Sequence, residues 1–133
     1  MPQDRRPTLM VVEDEPAISE LLCTRLEIAG YRVFAARDGL DALARVGDIR
    51  PAGIVLDINM PRLDGFGVLE GLRKRPSTAA IPTLVLTARN NTEDVRRAVS
   101  LGARDYLAKP FEDAKLLARV KRLLHRRPET AAA

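Results

Sequence analysis

The chain has 133 residues, of which 46% are hydrophobic and 30% charged, and its formal net charge is +4. This length suits one domain with a core of its own. No apolar run reaches the ~20 residues of a membrane helix, and the N-terminus lacks the apolar stretch of a secretory signal. The single cysteine, Cys23, excludes an internal disulfide and fits a reducing compartment, so we expect a cytoplasmic protein without membrane contact.

The positive charge is spread over the chain. Lysine and arginine occur as scattered pairs, and the two tyrosines and three phenylalanines form no stacking series. This pattern is typical of solvated helix faces. We therefore expect no direct nucleic-acid binding by this domain.

The first part of the chain has the pattern of two strand–helix units. The strand-like apolar runs cover residues 8–12 and 31–36. We predict that Asp14 caps the first helix, that Leu21 lies on its apolar stripe, and that Gly30 ends it. The second helix follows Asp38 and carries Leu40 on its apolar stripe.

Three further units follow. Their apolar runs cover residues 53–56, 83–87 and 105–108. The third helix must end before Pro76, and the fourth opens at Asn91. The fourth helix is predicted to bury Val95, Ala98 and Val99, and the fifth has the clearest apolar stripe of all.

Continuous apolar runs indicate strands that are covered on both faces. Five strand–helix units in succession therefore predict an α/β fold, a doubly wound parallel sheet of five strands with five helices. We expect residues 8–126 to form the domain, residues 1–7 an N-terminal tail, and residues 127–133 a C-terminal tail or the start of a linker.

Polar side chains stand at the ends of four of these strands. Glu13 and Asp14 follow the first strand, Asp57 the third, Thr87 ends the fourth, and Lys109 follows the fifth. In an open parallel sheet, ligands bind beyond the carboxyl ends of the strands, so we expect these groups to converge. Clustered carboxylates repel one another, and a divalent cation such as Mg²⁺ (or Mn²⁺) removes that cost. A carboxylate in such a site can accept a phosphoryl group.

The stretches VVEDEP, VLDINMPRLDG, LVLTA and GARDYLAKPF, in this order, resemble the receiver domain of bacterial two-component response regulators. The resemblance covers about residues 8–126 and implies a flavodoxin-like fold with strand order 2-1-3-4-5. It also implies magnesium-dependent transfer of a phosphoryl group from the phosphohistidine of a sensor histidine kinase, or from a phosphotransfer protein. By this resemblance the domain is a switch and not an enzyme, beyond assisting its own phosphorylation and dephosphorylation.

The resemblance assigns roles position by position. Asp57 matches the phosphoacceptor. The metal ligands are matched by Asp14, Asp57, the backbone carbonyl of Asn59 and, through water, Glu13. The residues that bind the phosphoryl group or respond to it are matched by Thr87, Lys109, Tyr106 and the backbone amide of Ala88. Asn59 and Arg89 match the positions that tune phosphoryl lifetime, and the bond before Pro110 is expected to be cis.

The new charge at Asp57 is expected to bias the surface of the fourth helix, the fifth strand and the fifth helix, and so to control an effector or partner. A homodimer through this surface, with Asp105 and Arg119 as one of its ion pairs, is a further expectation from the resemblance. Val95 and Lys115 depart from the charges usual at their positions in such dimers. Whether the domain stands alone or precedes an effector domain stays open.

Other functions remain open at this point. A phosphatase of the haloacid-dehalogenase type also uses an aspartate after a strand. That class has the motif Asp-x-Asp, whereas this chain has Asn59 in place of the second aspartate. A flavodoxin-like cofactor binder needs a phosphate loop after the first strand, where this chain has the acidic stretch 13–15. A receiver-like docking module without phosphorylation is a third alternative.

Overall fold

The computed structural model describes residues 4–60, 62–88 and 91–125. Strands and helices alternate along the chain, with one short additional helix. The strands are β1 (Thr8–Val12), β2 (Arg32–Ala36), β3 (Gly53–Asp57), β4 (Thr83–Ala88) and β5 (Asp105–Lys109). The helices are α1 (Pro16–Ile28), α2 (Gly39–Ile49), α3 (Gly65–Lys74), α4 (Pro76–Ala79), α5 (Thr92–Ser100) and α6 (Asp113–His125).

The five strands form one parallel sheet in the order β2-β1-β3-β4-β5. This confirms the predicted doubly wound sheet and its strand order. The described residues contain six helices rather than the predicted five, so the predicted fourth and fifth helices are α5 and α6. The additional helix, α4, is a single turn that starts at Pro76. Proline favours an extended conformation in the residue before it, and Arg75 has φ −109° and ψ 124°, which separates α3 from α4.

The core lies in two layers, one on each side of the sheet. Alternate residues of the strands point to opposite faces. One layer contains Leu9, Val11 and Leu84 with buried residues of α1 and α6, and the other contains Met10 and Val12 with buried residues of α2, α3 and α5. The two-layer core explains why the strands are apolar at consecutive positions.

Several expectations about individual helix residues were wrong. Leu21, Leu40 and Val99 are 50%, 55% and 54% exposed, so the apolar stripes extend beyond the surfaces that other elements cover. Asp14 does not cap α1, since the N-cap position is Glu15 and no side chain bonds there. Asp38 does cap α2, because its carboxylate accepts the amide hydrogen of Asp41.

A close backbone approach fixes the carboxyl end of β3. The amide of Gly65 donates to the carbonyl of Ile58 over 2.9 Å. A Cβ at Gly65 would lie 2.7 Å from the Cα of Ile58 and 2.8 Å from the carbonyl oxygen of Asp57. Only glycine allows α3 to begin this close to the end of β3.

Candidate functional site

The carboxyl ends of β1, β3, β4 and β5 meet at one edge of the sheet because the strands are parallel. Asp57 is the last residue of β3 and pairs with Leu86 of β4 in the sheet register. Thr87 and Ala88 pair with Ala108 and Lys109 of β5. The sheet topology therefore gathers at this edge residues that are far apart in sequence.

Three carboxylates form a cluster at this edge. Glu13, Asp14 and Asp57 each offer a carboxylate oxygen, and these oxygens lie within 4.8 Å of one another. Glu13 and Asp57 are each only 3% exposed, whereas Asp14 is exposed. Burial, and secondly the charge of Asp57, raise the pKa of Glu13 to about 7. The cluster thus concentrates negative charge that the protein alone does not fully neutralise.

Lys109 forms an ion pair with Asp57. Its Nζ lies 3.0 Å from Asp57 Oδ1, and the amide of Asn59 donates to the same oxygen over 3.2 Å. The peptide bond between Lys109 and Pro110 is cis. Both contacts reach one oxygen of Asp57, and they hold the carboxylate in a defined orientation.

Two buried oxygens at this edge lack a hydrogen-bond partner among the residues that the structure describes. They are Glu13 Oε1 and Thr87 Oγ1. An unpaired buried polar group costs about 1–3 kcal/mol. A hard divalent cation beside Glu13 would remove that cost, and carboxylate and carbonyl oxygens are the donors that Mg²⁺ prefers. The donor set at this edge therefore fits such a cation.

Thr87 and Tyr106 border a common space. Together with Ala88 and the start of α5 they line a cavity of about 440 Å³. Tyr106 is 42% exposed, so its ring lies at the surface in this structure. The guanidinium of Arg119 lies over that ring, 6.0 Å from its centroid, and donates to the carbonyl oxygen of Tyr106 over 2.9 Å.

Asp105 and Arg119 form an ion pair within the chain, at 2.9 Å. A second arginine, Arg122, contacts the other carboxylate oxygen of Asp105 at 2.5 Å. Arg122 was not among the residues predicted from the sequence, although its position three residues after Arg119 on α6 places the two side chains on the same helix face. Arg89, one of the two lifetime-tuning candidates, lies outside the described residues, and the other, Asn59, is exposed beside Asp57.

The fold and the site together define a class of protein, a parallel α/β domain with an acidic cluster and a lysine at the carboxyl edge of its sheet. The response regulator receiver domain model matches residues 9–121. The chain belongs to this family and is a receiver domain of two-component signalling.

Two relatives illustrate the similarity. The chain is 43% identical over 120 residues to the DNA-binding dual master transcriptional regulator RpaA of Synechocystis sp., an alignment that covers 90% of this chain and 50% of that protein. It is 44% identical over 125 residues to the transcriptional regulatory protein PrrA of Mycobacterium tuberculosis, covering 94% of this chain and 53% of that protein. The chain thus spans about half the length of the curated relatives it matches.

Solved structures show the same fold. The chemotaxis protein CheY4 of Vibrio cholerae superposes with a TM-score of 0.85 at 32% identity, covering 90% of this chain and 99% of that chain. The receiver domain of the sensor histidine kinase PA1611 of Pseudomonas aeruginosa, with a magnesium ion coordinated in its active-site cleft, has a TM-score of 0.83 at 30% identity, covering 91% of this chain and 99% of that chain. Within the described residues, no helix is both long and apolar enough for a membrane span.

Proposed function

We propose that this domain accepts a phosphoryl group on Asp57 from the phosphohistidine of a sensor histidine kinase or of a phosphotransfer protein. One observation carries the proposal. The buried carboxylate of Asp57 lies within 4.8 Å of the carboxylate oxygens of Glu13 and Asp14, and 3.0 Å from Lys109 Nζ. Burying a carboxylate costs folding free energy. A role as the phosphoryl-accepting nucleophile, beside a cation site and a lysine, explains why Asp57 is buried here.

The metal ligands in this proposal are Asp14, Asp57 and the backbone carbonyl of Asn59, with Glu13 acting through water. Bound Mg²⁺ (or Mn²⁺) would supply charge neutralisation at the phosphoryl oxygens. The clustered carboxylates and the unpartnered oxygen of Glu13 support this assignment. The magnesium ion in the PA1611 receiver domain supports it independently.

The residues of the chain perform the remaining steps. An oxygen of the Asp57 carboxylate attacks phosphorus, and the bond from phosphorus to the donor imidazole nitrogen breaks, with its electron pair left on that nitrogen. Lys109 neutralises charge that develops on the transferred group, because its Nζ already lies 3.0 Å from Asp57. The amide of Asn59 keeps the carboxylate oriented during the attack. Positioning and electrostatic stabilisation account for most of the catalysis in phosphoryl transfer.

The response to phosphorylation involves Thr87, Tyr106 and the amide of Ala88. The Thr87 hydroxyl is buried without a partner among the described residues and is free to bond a phosphoryl oxygen. The cavity that Thr87 shares with Tyr106 offers space for the ring to move inward. We infer that this movement changes the surface of α5, β5 and α6, through which the domain controls an effector or partner. Because the curated relatives include transcriptional regulators, a DNA-binding effector is one such output.

Mass spectrometry of the intact protein tests the proposal. Incubation with acetyl phosphate and Mg²⁺ should add the mass of one phosphoryl group, and Asp57→Asn should abolish the addition. Asp64→Asn is the matched control, because Asp64 caps α3 and lies outside the acidic cluster. Unchanged labelling of Asp57→Asn would refute the assignment, and repeated turnover of an ordinary phosphate ester would instead indicate a phosphatase.

A further inference from the structure

The end of β2 lies one hydrogen bond away from the acidic cluster. Among the strands that the structure describes, β2 is an edge strand and pairs with β1 alone. The amide of Glu13 donates to the carbonyl of Ala36, the last residue of β2, over 3.2 Å. The position of the Glu13 backbone therefore depends on how the end of β2 is held.

The outer side of β2 faces no other strand of the described sheet. The amide of Arg32 and the carbonyl of Ala36 both bond toward β1. In a parallel ladder, alternate residues direct their N–H and C=O groups to opposite sides. The carbonyl of Ala35 and the amide of Arg37 therefore point away from β1, as unpaired groups of an edge strand do.

Two side chains of α2 bond to these outward groups. Arg45 Nη1 donates to the carbonyl of Ala35 over 2.7 Å, and the amide of Arg37 donates to Asp41 Oδ2 over 3.1 Å. Arg45 and Asp41 also form an ion pair with each other, at 3.3 Å. A residue of an adjacent parallel strand would donate to the same carbonyl and accept from the same amide. The Asp41–Arg45 pair thus takes the place of one residue of a neighbouring strand.

Parts of this arrangement have simpler explanations. Asp41 lies three residues after the cap Asp38, where an acidic side chain commonly bonds back to the backbone before the helix. A partly exposed ion pair at a spacing of four residues contributes little stability. The bond from Arg45 to Ala35 spans ten residues and belongs to neither explanation. It fixes the peptide group next to the carbonyl that accepts from Glu13.

The same pair borders the acidic cluster. A cavity of about 700 Å³ is lined by Glu13 and Asp14 and also by Asp41 and Arg45. Glu13 is buried, and its Oε2 accepts the amide hydrogen of Glu15 over 3.2 Å. Its Oε1 has no hydrogen-bond partner among the described residues. The placement of the Glu13 backbone therefore decides how its carboxylate reaches into the acidic cluster.

We propose that Asp41 and Arg45 are positioning residues of the acidic cluster. Their bonds to the outward groups of β2 hold the carbonyl of Ala36, and this carbonyl holds Glu13 where its carboxylate lies near the other two. The inference rests on the proposed function and deepens it, because it names residues that support the cation site of phosphoryl transfer.

The sign of a change in cation affinity separates this role from a purely electrostatic one. Arg45 is a positive charge beside the carboxylates, so its charge alone repels Mg²⁺ and its removal should tighten Mg²⁺ binding. If Arg45 positions Glu13, its removal should weaken Mg²⁺ binding instead. Arg45→Met distinguishes the two roles, since methionine retains an apolar side chain without charge or donor.

Hydrogen exchange of the metal-free protein, followed by amide NMR, tests the positioning directly. In Arg45→Met we expect the Glu13 amide to exchange about tenfold faster, because its acceptor is no longer held in place. The amide of Ile54, which donates to the carbonyl of Pro82 over 3.0 Å at the start of β3, should exchange as in the wild type. An unchanged Glu13 amide, or equal acceleration of both amides, would overturn the proposal.

Asp41 is tested by the same exchange measurement. Asp41→Ala removes the acceptor for the Arg37 amide and should also accelerate exchange of the Glu13 amide. Asp41→Asn retains an oxygen that accepts a hydrogen bond, so the acceleration should be smaller. A fully protected Glu13 amide in Asp41→Ala would overturn the role assigned to Asp41.

Calorimetric titration with Mg²⁺ is the second readout. Arg45→Met should bind Mg²⁺ about threefold more weakly than the wild type, whereas Arg45→Lys, which keeps a donor for Ala35, should bind nearly as tightly. Arg73→Met is the matched control, because Arg73 also donates to a backbone carbonyl, that of Ser100 over 2.8 Å, and the charge change is the same. Equal or tighter Mg²⁺ binding by Arg45→Met, or an equal loss in Arg73→Met, would contradict the proposal.

The phosphoryl labelling experiment separates this inference from the proposed function. A protein that labels at Asp57, while Arg45→Met keeps its Mg²⁺ affinity and a protected Glu13 amide, would refute only the present inference. A protein that fails to label, although Arg45→Met accelerates exchange of the Glu13 amide and weakens Mg²⁺ binding, would refute only the proposed phosphoryl transfer.

Discussion

Two aspartates of the sheet differ in how completely their charges are matched: Asp57 at the carboxyl end of β3 and Asp105 at the amino end of β5. At Asp105, one carboxylate oxygen contacts Arg119 and the other contacts Arg122. At Asp57, both described contacts reach Oδ1, and two further carboxylates lie within 4.8 Å. Both side chains are largely covered, at 4% and 10% exposure.

Under the proposed function, the difference separates a structural charge at Asp105 from a reactive one at Asp57. Two guanidinium groups satisfy Asp105, and their geometry ties α6 to β5. Asp57 has two further carboxylates close to it, and their mutual repulsion is a cost to the folded protein that a bound cation would remove. The arrangement that makes a carboxylate chemically useful is thus the one that leaves it incompletely neutralised.

The largest contrast should appear in cation binding. Asp57→Asn should weaken Mg²⁺ binding at least about tenfold, since it removes a charged ligand. Asp105→Asn should leave Mg²⁺ affinity unchanged while it releases Arg119 and Arg122 from β5. Isothermal titration calorimetry measures both Mg²⁺ affinities. Equal affinities for the two variants would contradict the different roles of Asp57 and Asp105.

Removing a cationic partner should reduce the stability of the protein more at Asp57 than at Asp105. Lys109→Met leaves the Asp57 carboxylate buried and unpaired, so metal-free protein should lose about 2 kcal/mol of unfolding free energy. Arg122→Ala should cost only about 0.5 kcal/mol, because the Arg122 side chain is 57% exposed and Arg119 still pairs with Asp105. Urea denaturation of Lys109→Met, Arg122→Ala and the wild type measures the three unfolding free energies. A larger loss for Arg122→Ala would contradict this account.

The acidic cluster should also make stability depend on pH. Burial and the Asp57 charge raise the pKa of Glu13 from its ordinary 4.5 to about 7. The folded protein therefore binds this proton more tightly than the unfolded chain, and metal-free stability should fall as pH rises from 4.5 to about 7. Denaturation across this range should show a weaker fall for Glu13→Gln and for wild-type protein in Mg²⁺.

The smallest effect on phosphorylation itself should come from Thr87. Thr87→Ala removes a hydroxyl that has no partner among the described residues, so labelling of Asp57 should be unchanged. The ring signals of Tyr106 should no longer shift when a beryllofluoride mimic of the phosphoryl group is added. If Tyr106 responds as in the wild type, the proposed coupling between these two residues is wrong.

The sequence predicted the sheet because its signal is local. Runs such as those in β1 and β3 are apolar at consecutive positions, and that pattern has one common explanation, a strand covered on both faces. The approach of Asp57 to Asp14 and Lys109 followed from topology, since parallel strands bring their ends to one edge.

Other features depend on neighbours that sequence does not specify. Helical periodicity predicts that Val99 lies on the apolar stripe of α5, but it does not show whether another element covers that part of the helix. None of the described elements buries Val99. Asp14 has the position of a helix cap, yet it lies in the acidic cluster instead. Asp105 and Arg119 were expected to pair across a dimer, and the structure shows them paired within the chain. Arg122 was not predicted, because distances between α6 and β5 follow only from packing.

The absence of a side chain at Gly65 has a mechanical consequence. The first turn of α3 abuts the backbone of Asp57 and Ile58 with no intervening atom that could yield. At its far end, α3 reaches α5, where Arg73 donates to the carbonyl of Ser100 over 2.8 Å. Helix α3 therefore contacts the tip of β3 at one end and α5 at the other, and we expect a displacement of that tip to move α3 and to reach α5.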